Sequence, residues 1–306
     1  MLPPSGAQFL LRAGTSRAAL TEVGATLRLL EFGGEPVLLS FEEGELCRDG
    51  RGQLLAPWPN RLEDGRYRFG ETEGVAAWNE PERRNAIHGL LRWWPFAPVS
   101  VTESSVVLAA VLIPQPAYPW RLRVEATYAL REAGLSVAVA ATNESGSAAP
   151  FGLGFHPYFL AAGHADDAAL LLAARTHLLA DERGLPRGAE PLADFTAAAP
   201  LTSGNRLGEA VLDDCFTDLE VDGDGGFAVT FWPQAGGDRR IVVRAQGAFS
   251  YVMIYSADQL KGRERRRAVA IEPMTCPPNA LRSGEGIITI EPGATFRAGI
   301  SISLES

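Results

Sequence analysis

The sequence predicts an all-β protein, a sandwich or barrel of antiparallel strands. Apolar and polar residues alternate with a period of two in many short runs, and 32 glycines and 21 prolines punctuate those runs. Helical signals are weak throughout.

The elements follow in order. In residues 23–29, Val23, Ala25, Leu27 and Leu29 share one face of a strand while Thr26 and Arg28 point the other way. Glu31 and Gly33-Gly34 then turn the chain into residues 36–39. Asp64-Gly65 reads as a hairpin turn, and residues 66–69 alternate charged and aromatic side chains as a strand with one wet face. A strand is expected at 105–108. Residues 122–130 and 135–140 alternate on either side of a short Gly-containing loop and read as a hairpin. The Ala-rich stretch 161–200 has helix-forming composition, but Gly163, Gly184, Pro186, Gly188 and Pro191 break it into strands and excursions. Strands at 227–231, 240–243, 251–255 and 287–290 complete the pattern. No repeat of fixed period and no low-complexity linker interrupts it, so residues 1–306 are expected to form a single β-sandwich domain.

Composition narrows the function classes. A hydrophobic content of 46% with 21% charge is that of a soluble globular chain. Cys47, Cys215 and Cys276 are odd in number and show no metal-ligand spacing, which suits reduced thiols in the cytoplasm. The N-terminal residues lack a basic and apolar leader, and no apolar run reaches the roughly 18 residues of a membrane span. A net charge of -9 argues against a nucleic-acid partner, because such binding depends on clustered cations releasing phosphate counterions. One basic run, residues 261–267, reads either as an anion site or as a solvated loop.

Five segments could carry chemistry. Asn60-Arg61, at a strand end before the turn, offers amide and guanidinium donors to ligand hydroxyls, or tethers the loop through Glu63 or Asp64. In Ile87-His88-Gly89, Gly89 admits close backbone approach, and the following Trp93-Trp94 reads as core rather than as a stacking platform. His156 lies between Gly154 and Pro157, a rigid setting in which a nearby carboxylate would raise its protonated fraction and make it a general acid. Asp213 or Asp214 could accept bonds from ligand hydroxyls, or could cap a turn. Glu272, at the end of an apolar run, is expected to feel desolvation, which makes it a better base near neutrality. No nucleophile elbow, phosphate loop, HExxH or dinucleotide fingerprint is present.

Taken together, Asn60-Arg61 with Asp64-Gly65-Arg66-Tyr67, Ile87-His88-Gly89, His156-Pro157-Tyr158-Phe159, Asp213 with Phe216, and Glu272-Pro273-Met274-Thr275-Cys276-Pro277 resemble the aldose 1-epimerase family, the galactose mutarotase-like proteins. They fall in the family's order and span about two thirds of the chain. The resemblance implies an antiparallel β-supersandwich, no cofactor, no metal, and a free monosaccharide as partner of a monomer or homodimer. Glu272 would take the proton from the anomeric hydroxyl and His156 would protonate the ring oxygen. Asn60, Arg61, His88 and Asp213 would hold hydroxyls, with acid and base facing each other across the ring. Two departures, Leu160 and Met253, stand where galactose mutarotases proper carry Asn and a sugar-binding Gln. They place the chain nearer the aldose-epimerase-like branch. Two rival readings follow: a phosphorylated or sulfated sugar held by Arg83, Arg84, Arg92 or the 261–267 run, and a carbohydrate-binding protein without turnover.

Overall fold

The computed structural model describes residues 3–305; the ends of the expected 1–306 domain, residues 1, 2 and 306, lie outside them. Two open eight-stranded antiparallel sheets dominate. The first runs, in spatial order, Ala97–Val101, Ser105–Leu112, Leu122–Arg131, Gly134–Asn143, Thr295–Glu305, Arg240–Gln246, Phe227–Trp232 and Ala169–Leu172. The second runs Pro186–Pro191, Thr176–Ala180, Asp213–Thr217, Tyr251–Tyr255, Ala268–Met274, Gly154–Phe155 and Leu54–Leu55, with Tyr158–Leu160 also paired to Ala268–Met274. A meander of Gln8–Ala13, Ser16–Thr21, Leu27–Phe32 and Glu35–Pro36 packs beside them. The α-helices, Ala198–Ser203 and Ala280–Ser283, are short. No helix among the described residues is long and apolar enough to cross a membrane.

Alternation builds the first sheet as expected. Leu122, Val124, Ala126, Tyr128 and Leu130 are buried in one strand, and Leu135, Val137, Val139 and Ala141 in the next. The register places Leu130 opposite Leu135 and Arg131 opposite Gly134, so the loop is the pair Glu132-Ala133. These rows join an apolar core reaching from Leu11 to Ile302. The second sheet is covered on both faces. Val252, Ile254 and Ile271 enter that core, while Tyr251, Met253, Tyr255, Ala270, Glu272 and Met274 alternate onto the other face. Every residue of Ala268–Met274 is therefore buried. Cys47, Cys215 and Cys276 are buried free thiols.

Several elements differ from expectation. The start of the 23–29 run is a turn: Gly24 has φ 73° and Ala25 φ 47°, and the strand begins at Leu27. The backbone is bent there because Gly24 packs against Arg92, whose carbonyl oxygen would lie 2.6 Å from an added β-carbon. Asp64 and Gly65 do make a tight left-handed turn, with φ 55° and 64°. The flanking strands pair elsewhere, however: Arg61–Glu63 with Asn85–Ile87, and Arg66–Phe69 with Thr72–Val75. Trp93 is 44% exposed, with the Arg92 guanidinium over it 5.4 Å from its ring centre, so it is not core. In the basic run, Arg266 is buried and paired with Asp166 and Asp258, which makes that residue a structural cross-link. The 161–200 stretch supplies Ala169–Leu172, Thr176–Ala180 and Pro186–Pro191 before the six-residue helix Ala198–Ser203.

Candidate active site

Asn60, Arg61, His88, His156, Asp213 and Glu272 line one cleft of about 320 Å³, together with Asp49, Glu80, Arg92, Tyr158 and Tyr255. His156 sits between the Gly154–Phe155 and Tyr158–Leu160 strands. Its backbone is pinned on both sides, with its N–H donating to Gln53 and its carbonyl accepting from Gly52. Its ring stacks on Tyr158, centroids 5.0 Å apart and planes 5° from parallel, and meets His88 edge-on at 5.1 Å. Tyr158 is itself fixed by donating its hydroxyl to the Asp49 carbonyl. Glycines make the room: a β-carbon on Gly50 would stand 2.8 Å from the His156 ring, and one on Gly154 2.8 Å from Pro59.

Glu272 meets His156 directly, Oε1 to Nε2 at 3.3 Å, and both are almost fully buried. They stand side by side, not across a gap of ring width. The chain forces this, since Glu272 is two residues along its strand from Ala270, whose strand partner is Tyr158, the residue under the His156 ring. Burial, aided by the Arg92 charge, pushes His156 down to about 3, so the expected rise beside a carboxylate does not occur. Burial and the Asp213 charge push Glu272 well above the usual carboxylate range. Both shifts favour the uncharged forms of the two groups. His156 Nδ1, Glu272 Oε2 and His88 Nδ1 have no partner among the described residues. These buried groups retain unused hydrogen-bonding capacity in the cleft wall.

Arg61 is held as a fork. Its Nε and Nη2 donate to Glu80 at 3.0–3.2 Å, and Nη2 stands 3.6 Å from Asp213. Asn85 in turn donates to Glu80. Gly184, with φ 72°, lies over the guanidinium, and a β-carbon there would come within 2.4 Å of Nη1. Asn60, also left-handed at φ 54°, accepts the Arg61 N–H through its side chain and the His88 N–H through its carbonyl. Strand alternation separates the neighbouring acids: Asp213 faces the cleft, whereas Asp214 bonds His177 at 2.9 Å. Glu80, Asp49 and Tyr255 were not expected from the sequence. Glu80 carries no local signal, because its partner lies on a strand 19 residues earlier.

Of the arginines considered for an anionic ligand, Arg92 alone lines the cleft, and it has no carboxylate partner among the described residues. Arg83 faces Glu80, and Arg84 pairs with Asp64. Among the described residues no group of three His, Cys, Asp or Glu side chains is arranged to hold a metal. Leu160 lies outside the cleft, while Met253 sits opposite Glu272 in register and packs on Cys215, Tyr251 and Met274.

The aldose 1-epimerase family model matches residues 7–303. The chain is 30% identical to the uncharacterised protein YihR of Escherichia coli K12, over 97% of this chain and 93% of that one. Its fold is similar to a GalM/aldose epimerase homologue from C. elegans, with TM-score 0.85 at 17% identity over 98% of both chains. It is also similar to galactose 1-epimerase from Lactobacillus acidophilus NCFM, with TM-score 0.76 at 21% identity over 97% of this chain and 93% of the other. With a matching model over nearly its whole length and the supersandwich of these structures, the chain belongs to the aldose 1-epimerase family.

Proposed function

We propose that the protein interconverts the α and β anomers of a free aldose by acid/base opening and closure of the ring, with Glu272 and His156 exchanging protons. The observation that carries this reading is the 3.3 Å contact between Glu272 and His156 in a cleft lined by hydrogen-bonding side chains. The two sugar oxygens that trade protons are bonded to the same carbon, C1. Two groups standing side by side can therefore serve both, one at the anomeric hydroxyl and one at the ring oxygen.

Before a sugar binds, the raised Glu272 and lowered His156 favour a neutral pair with the shared proton on Glu272. An anomeric hydroxyl donating to Glu272, with the Arg61 charge nearby, favours the carboxylate, and the proton moves to His156 Nε2. Glu272 then takes the proton of the anomeric hydroxyl while His156 delivers its own to the ring oxygen. The bond from C1 to the ring oxygen breaks, C1 becomes an aldehyde, and the pair is again neutral with the proton on Glu272. Rotation about C1–C2 and closure on the other carbonyl face reverse each transfer. Asn60, Arg61, His88 and Asp213 hold hydroxyls throughout. Positioned proton transfer contributes roughly 10² to 10⁴-fold, sufficient for a reaction that already proceeds in water. The chain is an isomerase in this reading and works without cofactor in the cytoplasm.

Optical rotation of freshly dissolved α-glucose, α-galactose, α-xylose and α-arabinose tests it. Wild type should accelerate the decay for at least one sugar and Glu272→Gln should not; no acceleration by wild type would leave a binding protein, and equal acceleration by both would overturn the role of Glu272. Arg92 favours one variation, a sugar bearing a phosphate or sulfate. Faster mutarotation of hexose 6-phosphate than of hexose, lost in Arg92→Gln, would support it, and equal rates would remove it.

A further inference from the structure

His177 lies outside the cleft and has no part in the proton transfers, yet it is only 4% exposed. Its Nδ1 faces Glu190 Oε1 and its Nε2 faces Asp214 Oδ1, both at 2.9 Å. Each ring nitrogen thus stands within hydrogen-bond distance of a carboxylate oxygen, and the ring bridges the two acids. Phe195 and Phe216 cover the ring at centroid distances of 4.1 and 5.4 Å. The ring thus staples three adjacent strands, Thr176–Ala180, Pro186–Pro191 and Asp213–Thr217.

Both clamps of the cleft hang from this staple. Asp214 uses its second oxygen to accept the backbone N–H of Asp213, 3.0 Å away, and Asp213 faces Arg61. The first two strands form the hairpin whose tip carries Gly184 over the Arg61 guanidinium. Arg183, beside it, donates to the carbonyls of Arg83 and Arg84, and its own carbonyl accepts from Asn85, the residue that holds Glu80. We infer that His177 is a positioning residue: by bridging Glu190 and Asp214 it sets the placement of Asp213 and Arg61, and through them the affinity for the sugar. This role in sugar affinity rests on the aldose epimerase reading; the placement of the clamps does not.

The experiment pairs amide hydrogen exchange with mutarotation kinetics on wild type, His177→Phe and His177→Gln. Phe keeps the ring packing and removes both polar contacts, while Gln can restore one. In His177→Phe, the amides of Asp213 and of residues 181–188 should exchange about tenfold faster with the His156 amide unchanged. KM for the best aldose should rise about tenfold with kcat within about twofold, the pattern of lost uniform binding. His177→Gln should fall between on both readouts, and it serves alone if the Phe variant does not fold. Exchange that rises equally along Ala268–Met274, an unchanged KM, or a fall confined to kcat would overturn the inference. Absence of mutarotation by wild type would instead count against the epimerase reading, and exchange at Asp213 would still decide whether His177 places the clamps.

Discussion

His156 and His177 are equally buried and each touches carboxylate, but their hydrogen-bonding capacity is used differently. Both nitrogens of His177 are engaged at 2.9 Å by residues on neighbouring strands. The His156 ring has one polar contact, at 3.3 Å, with a carboxylate that burial pushes toward its neutral form, and its other nitrogen has no partner among the described residues. A histidine satisfied on both sides holds strands together. One left half-satisfied beside a carboxylate that burial favours in its neutral form, in the wall of a cleft, keeps hydrogen-bonding capacity for a ligand.

Glycine substitutions should separate the proton pair from its clamps. Gly50→Ala, at φ 74°, costs about 1–2 kcal/mol of backbone strain and pushes on the His156 ring. Because small misplacements of reacting groups can cost about 10²-fold, kcat should fall about tenfold to a hundredfold with little change in KM. Gly184→Ala carries the same strain but displaces Arg61, so its smaller effect, about tenfold, should appear in KM. Stopped-flow polarimetry over a range of sugar concentrations distinguishes the two, and matching patterns would erase the distinction.

One side of this contrast, the cleft, was legible in the sequence. His156 and Glu272 stand in proline-stiffened motifs, and the ordered company of Asn60-Arg61, His88 and Asp213 led to the family. The choice between Asp213 and Asp214 was not legible, because one residue of register decides which acid faces the cleft. His177 carries no local signal, because its partners, Glu190 and Asp214, come from the two neighbouring strands of the sheet and stand 13 and 37 residues away. The 23–29 run misled for a similar reason. Its alternation was real, but close approach of the Arg92 backbone at Gly24 turned the chain.

A smaller effect concerns stability. His156 takes up its proton near pH 3 in the folded chain and near 6.5 when unfolded. Between those values the unfolded state binds the extra proton, so stability is lost as pH falls from 6.5 toward 3. Urea midpoints for His156→Gln should therefore decline less over that window than those of wild type. Parallel declines would mean that His156 is not held neutral.

The proton pair is tested most directly by optical-rotation decay of one accelerated α-aldose, measured with wild type, Glu272→Gln, His156→Gln and the double variant. Residues that act as one unit are strongly non-additive, so each single change should remove nearly all of the roughly 10² to 10⁴-fold acceleration and the double no more. Losses that multiply in the double variant, or a Glu272→Gln protein as fast as wild type, would contradict a shared proton between Glu272 and His156.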